Sequence, residues 1–168
     1  GRTHFEYRLA VVAASSDELQ ERLKAFAESR QDERVRVGLC GDAPHIGFLF
    51  TGQGSQYAGM GRELFETQPS FRATLSKCDE LLRAELEQPL LSVLYPEADK
   101  PSPIDDTAYA QPALFALEVA LGQMLISWGV TPAYMMGHSI GEYAAACLAG
   151  VFSLEDGLRL VAARGRLM

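Results

Sequence analysis

The residues best suited to chemistry in this 168-residue chain lie in one short stretch, Gly137-His138-Ser139-Ile140-Gly141. The pattern GxSxG is that of a serine on a strained strand-to-helix turn, with its hydroxyl presented as a nucleophile. Small residues are needed at both ends, because a bulky side chain at 137 or 141 would collide with the neighbouring strand and helix. The helix starting behind Ser139 would lend backbone N–H groups and a positive dipole end to developing negative charge. By itself the pattern is short and recurs by chance, and its bland reading is a tight turn with a serine helix cap. The setting favours the catalytic reading. A short apolar run precedes the turn, and Ala144, Ala145, Ala146 and Ala149 mark a small-residue helix after it.

A site of this type takes one oxyanion N–H from the residue after the nucleophile, here Ile140, and another from a glycine-rich loop that follows an early strand. Residues 51–61, TGQGSQYAGMG, hold four glycines in eleven positions and can supply that loop. Neither GxGxxG nor GxxxxGK[ST] occurs in it, which argues against a phosphate-binding turn. His138 adjoins the serine, but neighbours on a tight elbow diverge, so it is poorly placed to take the Ser139 proton.

The elements that must position these residues are legible as periodicities. Phe5, Tyr7, Leu9 and Val11 alternate as in a strand, Leu19, Leu23 and Phe26 follow at helical spacing, and Val35, Val37 and Leu39 alternate again before the break at GDAP. Ser15 and Glu18 fit a capping box for the intervening helix. From residue 45 onward, IGFLF reads as a short strand buried on both faces of a sheet. Pro69 opens a helix with Phe71, Leu75, Cys78, Leu81 and Leu82 inward, and Pro112 opens another that carries Leu114, Leu117, Leu121, Met124, Leu125 and Trp128 and stops at Gly129. Between them, residues 79–106 carry eight acids, two bases and breaking prolines, and read as a solvated face. A last helix begins near Ser153, capped by Ser153 and Asp156, with Leu158, Val161 and Ala162 inward. The expected fold class is α/β.

With 48% hydrophobic and 22% charged residues, the composition is that of a packed globular chain. Fifteen basic against twenty-two acidic side chains, a formal charge of −7, argue against nucleic acid or an anionic membrane as partner. No signal-like or membrane-spanning apolar run is seen, and a cytoplasmic location is expected. Cys40, Cys78 and Cys147 are odd in number and widely spaced, so neither a disulfide framework nor a metal site is expected; they read as small buried hydrophobes.

Three stretches, FTGQGSQYAGMG, YAQPALFALEVAL and GHSIGEYAAACLAGVFSLEDGLRLVAARGRLM, occur in order and together resemble the malonyl-CoA:acyl-carrier-protein acyltransferase family, in particular the acyltransferase domain of a modular type I polyketide synthase. The resemblance implies an α/β-hydrolase-like large subdomain over residues 44–168, with residues 1–43 forming part of the linker from a preceding ketosynthase. It implies Ser139 as the nucleophile, the backbone N–H groups of Gln53 and Ile140 as the oxyanion hole, and Arg164 as the receptor for the free carboxylate of a malonyl-type extender unit. A planar guanidinium suits that carboxylate, since it pairs bidentately and would be left unpaired by simple acyl chains. Arg166 competes with Arg164 for a plainer role at the helix end. The implied substrate is malonyl-CoA, with no bound cofactor; the implied partners are the acyl carrier protein with its phosphopantetheine arm, the adjacent ketosynthase and the remaining half of the acyltransferase domain. Ile140, branched and stiff, is expected to narrow the space beside the acyl α-carbon and to favour malonyl over methylmalonyl.

In the family the general base is a histidine well downstream of the serine, in the second half of the domain. This sequence runs 29 residues past Ser139, and His4 and His45 precede the family's first motif. The expectation is a chain that carries the nucleophile half, without the small ferredoxin-like subdomain, and has little activity alone. Two other readings compete. An α/β-hydrolase-type esterase or thioesterase shares GxSxG but has no need of GQGSQ and Arg164. A non-catalytic docking remnant of a synthase has no reason to keep them.

Overall fold

The alternation at Tyr7, Leu9 and Val11 forms strand β1 (Tyr7–Val11), and the helical spacing after it forms α1 (Ser16–Ala27). Strand β2 (Val35–Leu39) returns antiparallel to β1, with Tyr7 opposite Leu39 and Val11 opposite Val35. Ser15 caps α1 by accepting from the Glu18 N–H at 3.2 Å. The Glu18 carboxylate reaches back one residue beyond the usual capping-box donor, to the Ala14 N–H at 2.6 Å, and also takes Arg22 and Arg34. The computed structural model describes residues 5–97 and 100–168, so His4 lies outside it. Residues Gly1–Pro44 and His45–Met168 fall into two compact units.

In the second unit, β3 (Gly47–Phe50) pairs in parallel with β4 (Tyr134–Gly137), bringing Phe50 opposite Gly137. The crossover between them carries α2 (Arg62–Thr67), α3 (Pro69–Leu82), α4 (Leu90–Leu94) and α5 (Thr107–Ser127), and β4 leads into α6 (Ile140–Leu148) and α7 (Leu154–Leu167). The fold is thus the expected mixture of helices and a small parallel sheet. Helix α5 is central, packed against α3, α6 and α7. It is long and apolar enough to cross a membrane. Its surface is instead enclosed by the other helices, which is why it is apolar nearly all round. Phe71, Leu75 and Leu82 of α3, Leu114 and Phe115 of α5, Ile140 of α6 and Leu158 of α7 form the buried centre.

Four sequence expectations need correction. Pro112 lies inside α5 and does not open it: Asp106 caps the helix by accepting from the Ala108 N–H at 2.9 Å, which sets the start at Thr107. Residues 79–106 are not simply a solvated face. Asp79 is buried and accepts from the Leu91 N–H at 2.9 Å, anchoring α4, whose Leu90, Val93 and Leu94 are fully buried. Strand β3 is covered on one face only, so Phe48 and Phe50 are buried while Leu49 is 75% exposed. Cys40 is exposed on the first unit and Cys147 is half-buried; only Cys78 behaves as a buried hydrophobe, its thiol pushed up to about 12 by burial. Pro69, by contrast, opens α3, and Ser153 caps α7 by accepting from the Asp156 N–H.

Candidate functional site

Strand β4 ends at Gly137 and α6 begins at Ile140, leaving two residues to turn the chain. Ser139 takes φ 52° and ψ −110°, a left-handed conformation rare for a residue with a side chain and a sign of stored backbone strain. The flanking glycines are required by contact. A Cβ on Gly137 would lie 2.0 Å from the carbonyl carbon of Gly141, and one on Gly141 would lie 2.6 Å from the carbonyl oxygens of both Phe50 and Thr51. The His138 N–H donates to the Phe50 carbonyl at 3.0 Å, holding the elbow against the end of β3, where the glycine loop begins.

That loop faces Ser139 from the neighbouring strand end. Among the described residues the Gln53 and Ile140 N–H groups have no acceptor. The Gln53 side chain is tied down: its Nε2 donates to Thr107 Oγ1 at 3.1 Å, and its Oε1 accepts from Gln111 Nε2 at 3.4 Å. Ile140 is wholly buried in the core, so its side chain does not line the open space beside Ser139. The expected narrowing at the acyl α-carbon is therefore not seen, and what Ile140 offers the site is its N–H.

Helix α7 packs on the start of α5 at Gly165, where a Cβ would lie 2.8 Å from the Thr107 carbonyl oxygen. This close approach carries Arg164 to the elbow. Its Nη1 donates to Gln111 Oε1 at 2.6 Å, its Nη2 lies 3.3 Å from Ser139 Oγ, and its guanidinium sits 5.7 Å from the centre of the Tyr143 ring. Arg166 points elsewhere, to the carbonyl and carboxylate of Glu85. The structure thus brings Ser139, Gln53 and Arg164 together. Neither described histidine bonds Ser139 Oγ: the His138 ring rests over Gly52, against the position a Gly52 Cβ would take, and His45 packs beside Tyr134. Among the described residues no cluster could hold a metal ion.

Two residues of this site escaped the sequence reading. Gln111 is fully buried and joins Arg164 to Gln53. Glu118 is buried and accepts from the Thr51 N–H at 2.7 Å, with the Thr51 hydroxyl 2.9 Å away. Burial pushes the Glu118 carboxyl up to about 7, against the pull of those two contacts. Their signal was the spacing: two polar residues seven apart, two helical turns, in an otherwise apolar run.

Against known proteins, the profile of the family described as "Acyl transferase domain" matches residues 47–168. The chain is 48% identical over 99% of its length to polyketide synthase GfsB of Streptomyces halstedii, of which it spans 3%. Among solved structures it is 40% identical to the acyl transferase domain of ZmaA, with a TM-score of 0.89, covering all of this chain and 39% of that one. It is 31% identical to a malonyl CoA-acyl carrier protein transacylase from Clostridium perfringens, with a TM-score of 0.66 over 74% of this chain and 38% of that one. The family match, the polyketide synthase relatives and the shared fold lead to one conclusion: the chain belongs to the acyl transferase domain family, in the branch carried by polyketide synthases.

Proposed function

We propose that this chain supplies the nucleophile and the acyl-binding groups for moving a malonyl-type unit from coenzyme A to an acyl carrier protein. Ser139 Oγ attacks the thioester carbonyl, the carbon–sulfur bond breaks, coenzyme A leaves as its thiol, and a malonyl ester remains on the serine. The phosphopantetheine thiol of the carrier protein then attacks that ester, taking the acyl group and returning the proton to Ser139. In both steps the carbonyl oxygen gains negative charge that the Gln53 and Ile140 N–H groups receive; one such donor is typically worth about 10² to 10³ in rate. No histidine among the described residues bonds Ser139 Oγ, so the base that takes its proton is assigned to the remainder of the acyltransferase domain. The adjoining ketosynthase and the carrier protein are the partners, residues 1–43 are part of the linker, and the setting is cytoplasmic.

The observation that carries this reading is the Arg164 guanidinium, held by buried Gln111 at 3.3 Å from Ser139 Oγ. In a malonyl ester the free carboxylate is two carbon–carbon bonds from the reacting carbonyl, so its counter-ion has to lie beside the nucleophile. An esterase for neutral acyl groups has no use for a cation there, and a docking remnant has none for a strained serine. The test is intact-protein mass spectrometry of a complete acyltransferase domain that includes this chain, after exposure to malonyl-CoA. Wild type is expected to hold one malonyl group and Ser139→Ala none. Arg164→Ala is expected to lose malonyl loading relative to acetyl loading, and an equal fall in both would remove the carboxylate role.

A further inference from the structure

The unused chemistry of the second unit centres on Glu118, among the described residues the only charged one lining a groove of about 520 Å³ between β3 and α5. Its Oε2 is buried without a partner among the described residues, while its Oε1 takes the N–H of Thr51 and lies 2.9 Å from the Thr51 hydroxyl. Thr51 is the first residue after β3, and its Oγ1 lies 2.8 Å from Ser55 Oγ. Ser55 Oγ in turn donates to the Gly52 carbonyl at 3.0 Å, and because each hydroxyl carries one proton, Thr51 then turns its own to Ser55 Oγ and stays on Glu118 Oε1 through its N–H. A trans peptide points its C=O and N–H in opposite directions. Whatever fixes the Gly52 carbonyl therefore also fixes the Gln53 N–H, which belongs to the same peptide plane.

We propose that Glu118 is a positioning residue of the acyl-transfer site: through Thr51 and Ser55 it locks the Gly52–Gln53 peptide with the Gln53 N–H turned toward the oxyanion. The proposal rests on the oxyanion role given above to Gln53. The geometry supplies the reason for a polar group at this depth. A loop with glycines at 52 and 54 has little intrinsic preference for one peptide orientation. Gly52 cannot exchange its freedom for a stiffer residue, because a Cβ there would strike His138. The orientation must come from outside the loop: Gln111 of α5 holds the Gln53 side chain, and Glu118 of the same helix holds the backbone at Thr51 where the loop begins. A carboxylate suits the position because its oxygen accepts the Thr51 N–H at 2.7 Å and lies 2.9 Å from the Thr51 hydroxyl, holding the strand end and the loop start as one piece.

The test uses a complete acyltransferase domain carrying this chain and two readouts. The first is the rate of Ser139 labelling by a fluorophosphonate, in which a P–O bond forms, the P–F bond breaks, fluoride and a proton leave, and the phosphoryl oxygen occupies the oxyanion hole. The second is kcat and KM for malonyl-CoA. Glu118→Leu, with its fold checked by thermal unfolding, is expected to slow labelling and lower kcat by about tenfold or more, with KM changed little. Glu118→Gln keeps an acceptor for Thr51 and is expected to recover most of that loss. Ser55→Ala breaks the last link without touching the core, and is expected to slow labelling even if Glu118→Leu fails to fold. Wild-type labelling rates in Ser55→Ala, or in a folded Glu118→Leu, would overturn the proposal. The fluorophosphonate bears no carboxylate, so a wild type that labels but takes no malonyl group refutes the substrate reading and leaves the Glu118 comparison decisive.

Discussion

At the scale of residues, Glu118 couples the site to pH. Its carboxyl titrates near 7 in the folded chain against an ordinary 4.5, because burial disfavours the charged form. Between those values the folded state holds a proton that the unfolded state has released. The part of the stability linked to that proton is therefore fully present below about 4.5 and is lost as pH rises through about 7; one pKa unit is worth about 1.4 kcal/mol. Chemical denaturation at pH 5 and pH 8 should show a decline of about 2 to 3 kcal/mol in wild type that Glu118→Gln flattens. Gln111 carries a second prediction. Gln111→Leu removes the acceptor that holds Arg164 Nη1, so malonyl loading should fall by about tenfold while acetyl loading changes less, and unchanged discrimination would separate Gln111 from the carboxylate role. Ser139, Gln53 and Arg164 could be proposed from sequence because each sits in a short contiguous motif. Gln111 and Glu118 could not be assigned roles that way, since their partners lie 53 and 67 residues away along the chain and no local pattern joins them.

At the scale of elements, the elbow depends on two glycines that touch backbone and not flexible side chains. Gly141→Ala would drive a methyl group into the carbonyl oxygens that end β3, and Gly137→Ala would drive one into the first turn of α6. Each should cost about 1 to 3 kcal/mol of stability by overpacking, and should also displace Ser139 and slow its labelling. A thermal midpoint equal to that of wild type in either variant would contradict the tight contact. Ser153→Ala is a milder element-level change, expected to cost about 1 kcal/mol through loss of the α7 cap, with activity following only as far as Arg164 moves. Helix and strand periods were readable where one face is apolar, as in α3 and α7. They misled in α5, where apolar residues on all sides left the proline as the only punctuation and the Asp106 cap went unnoticed. In this chain, which spans 39% of the solved relative it matches at a TM-score of 0.89, the two-faced burial expected of β3 is met on one face. A continuous apolar run shows that residues avoid water somewhere, without showing which face is covered.

At the scale of the whole chain, β3 and β4 present an uncovered apolar face. Leu49, Tyr134 and Met136 are 75%, 67% and 62% exposed, and Leu49 pairs directly with Met136. Exposed apolar sheet surface of this kind invites pairing with another surface. The 168-residue chain produced by itself should therefore self-associate at micromolar concentration, and Met136→Lys should shift it toward monomer without disturbing the buried core. Sedimentation velocity would decide this, with a monodisperse wild-type monomer contradicting the expectation. The parallel pairing has a consequence in time as well. Phe50 and Gly137 meet across 87 intervening steps of chain, so neither half of the site exists until both strands have left the ribosome. At about 5 to 20 residues per second, β3 waits roughly 4 to 17 seconds for its neighbour. During that wait the helices of the crossover can assemble on one another, because their contacts are nearer in sequence, and α5 is already present when the elbow arrives. The nucleophile elbow thus emerges after the loop and the α5 helix that receive it, and Arg164 follows on α7.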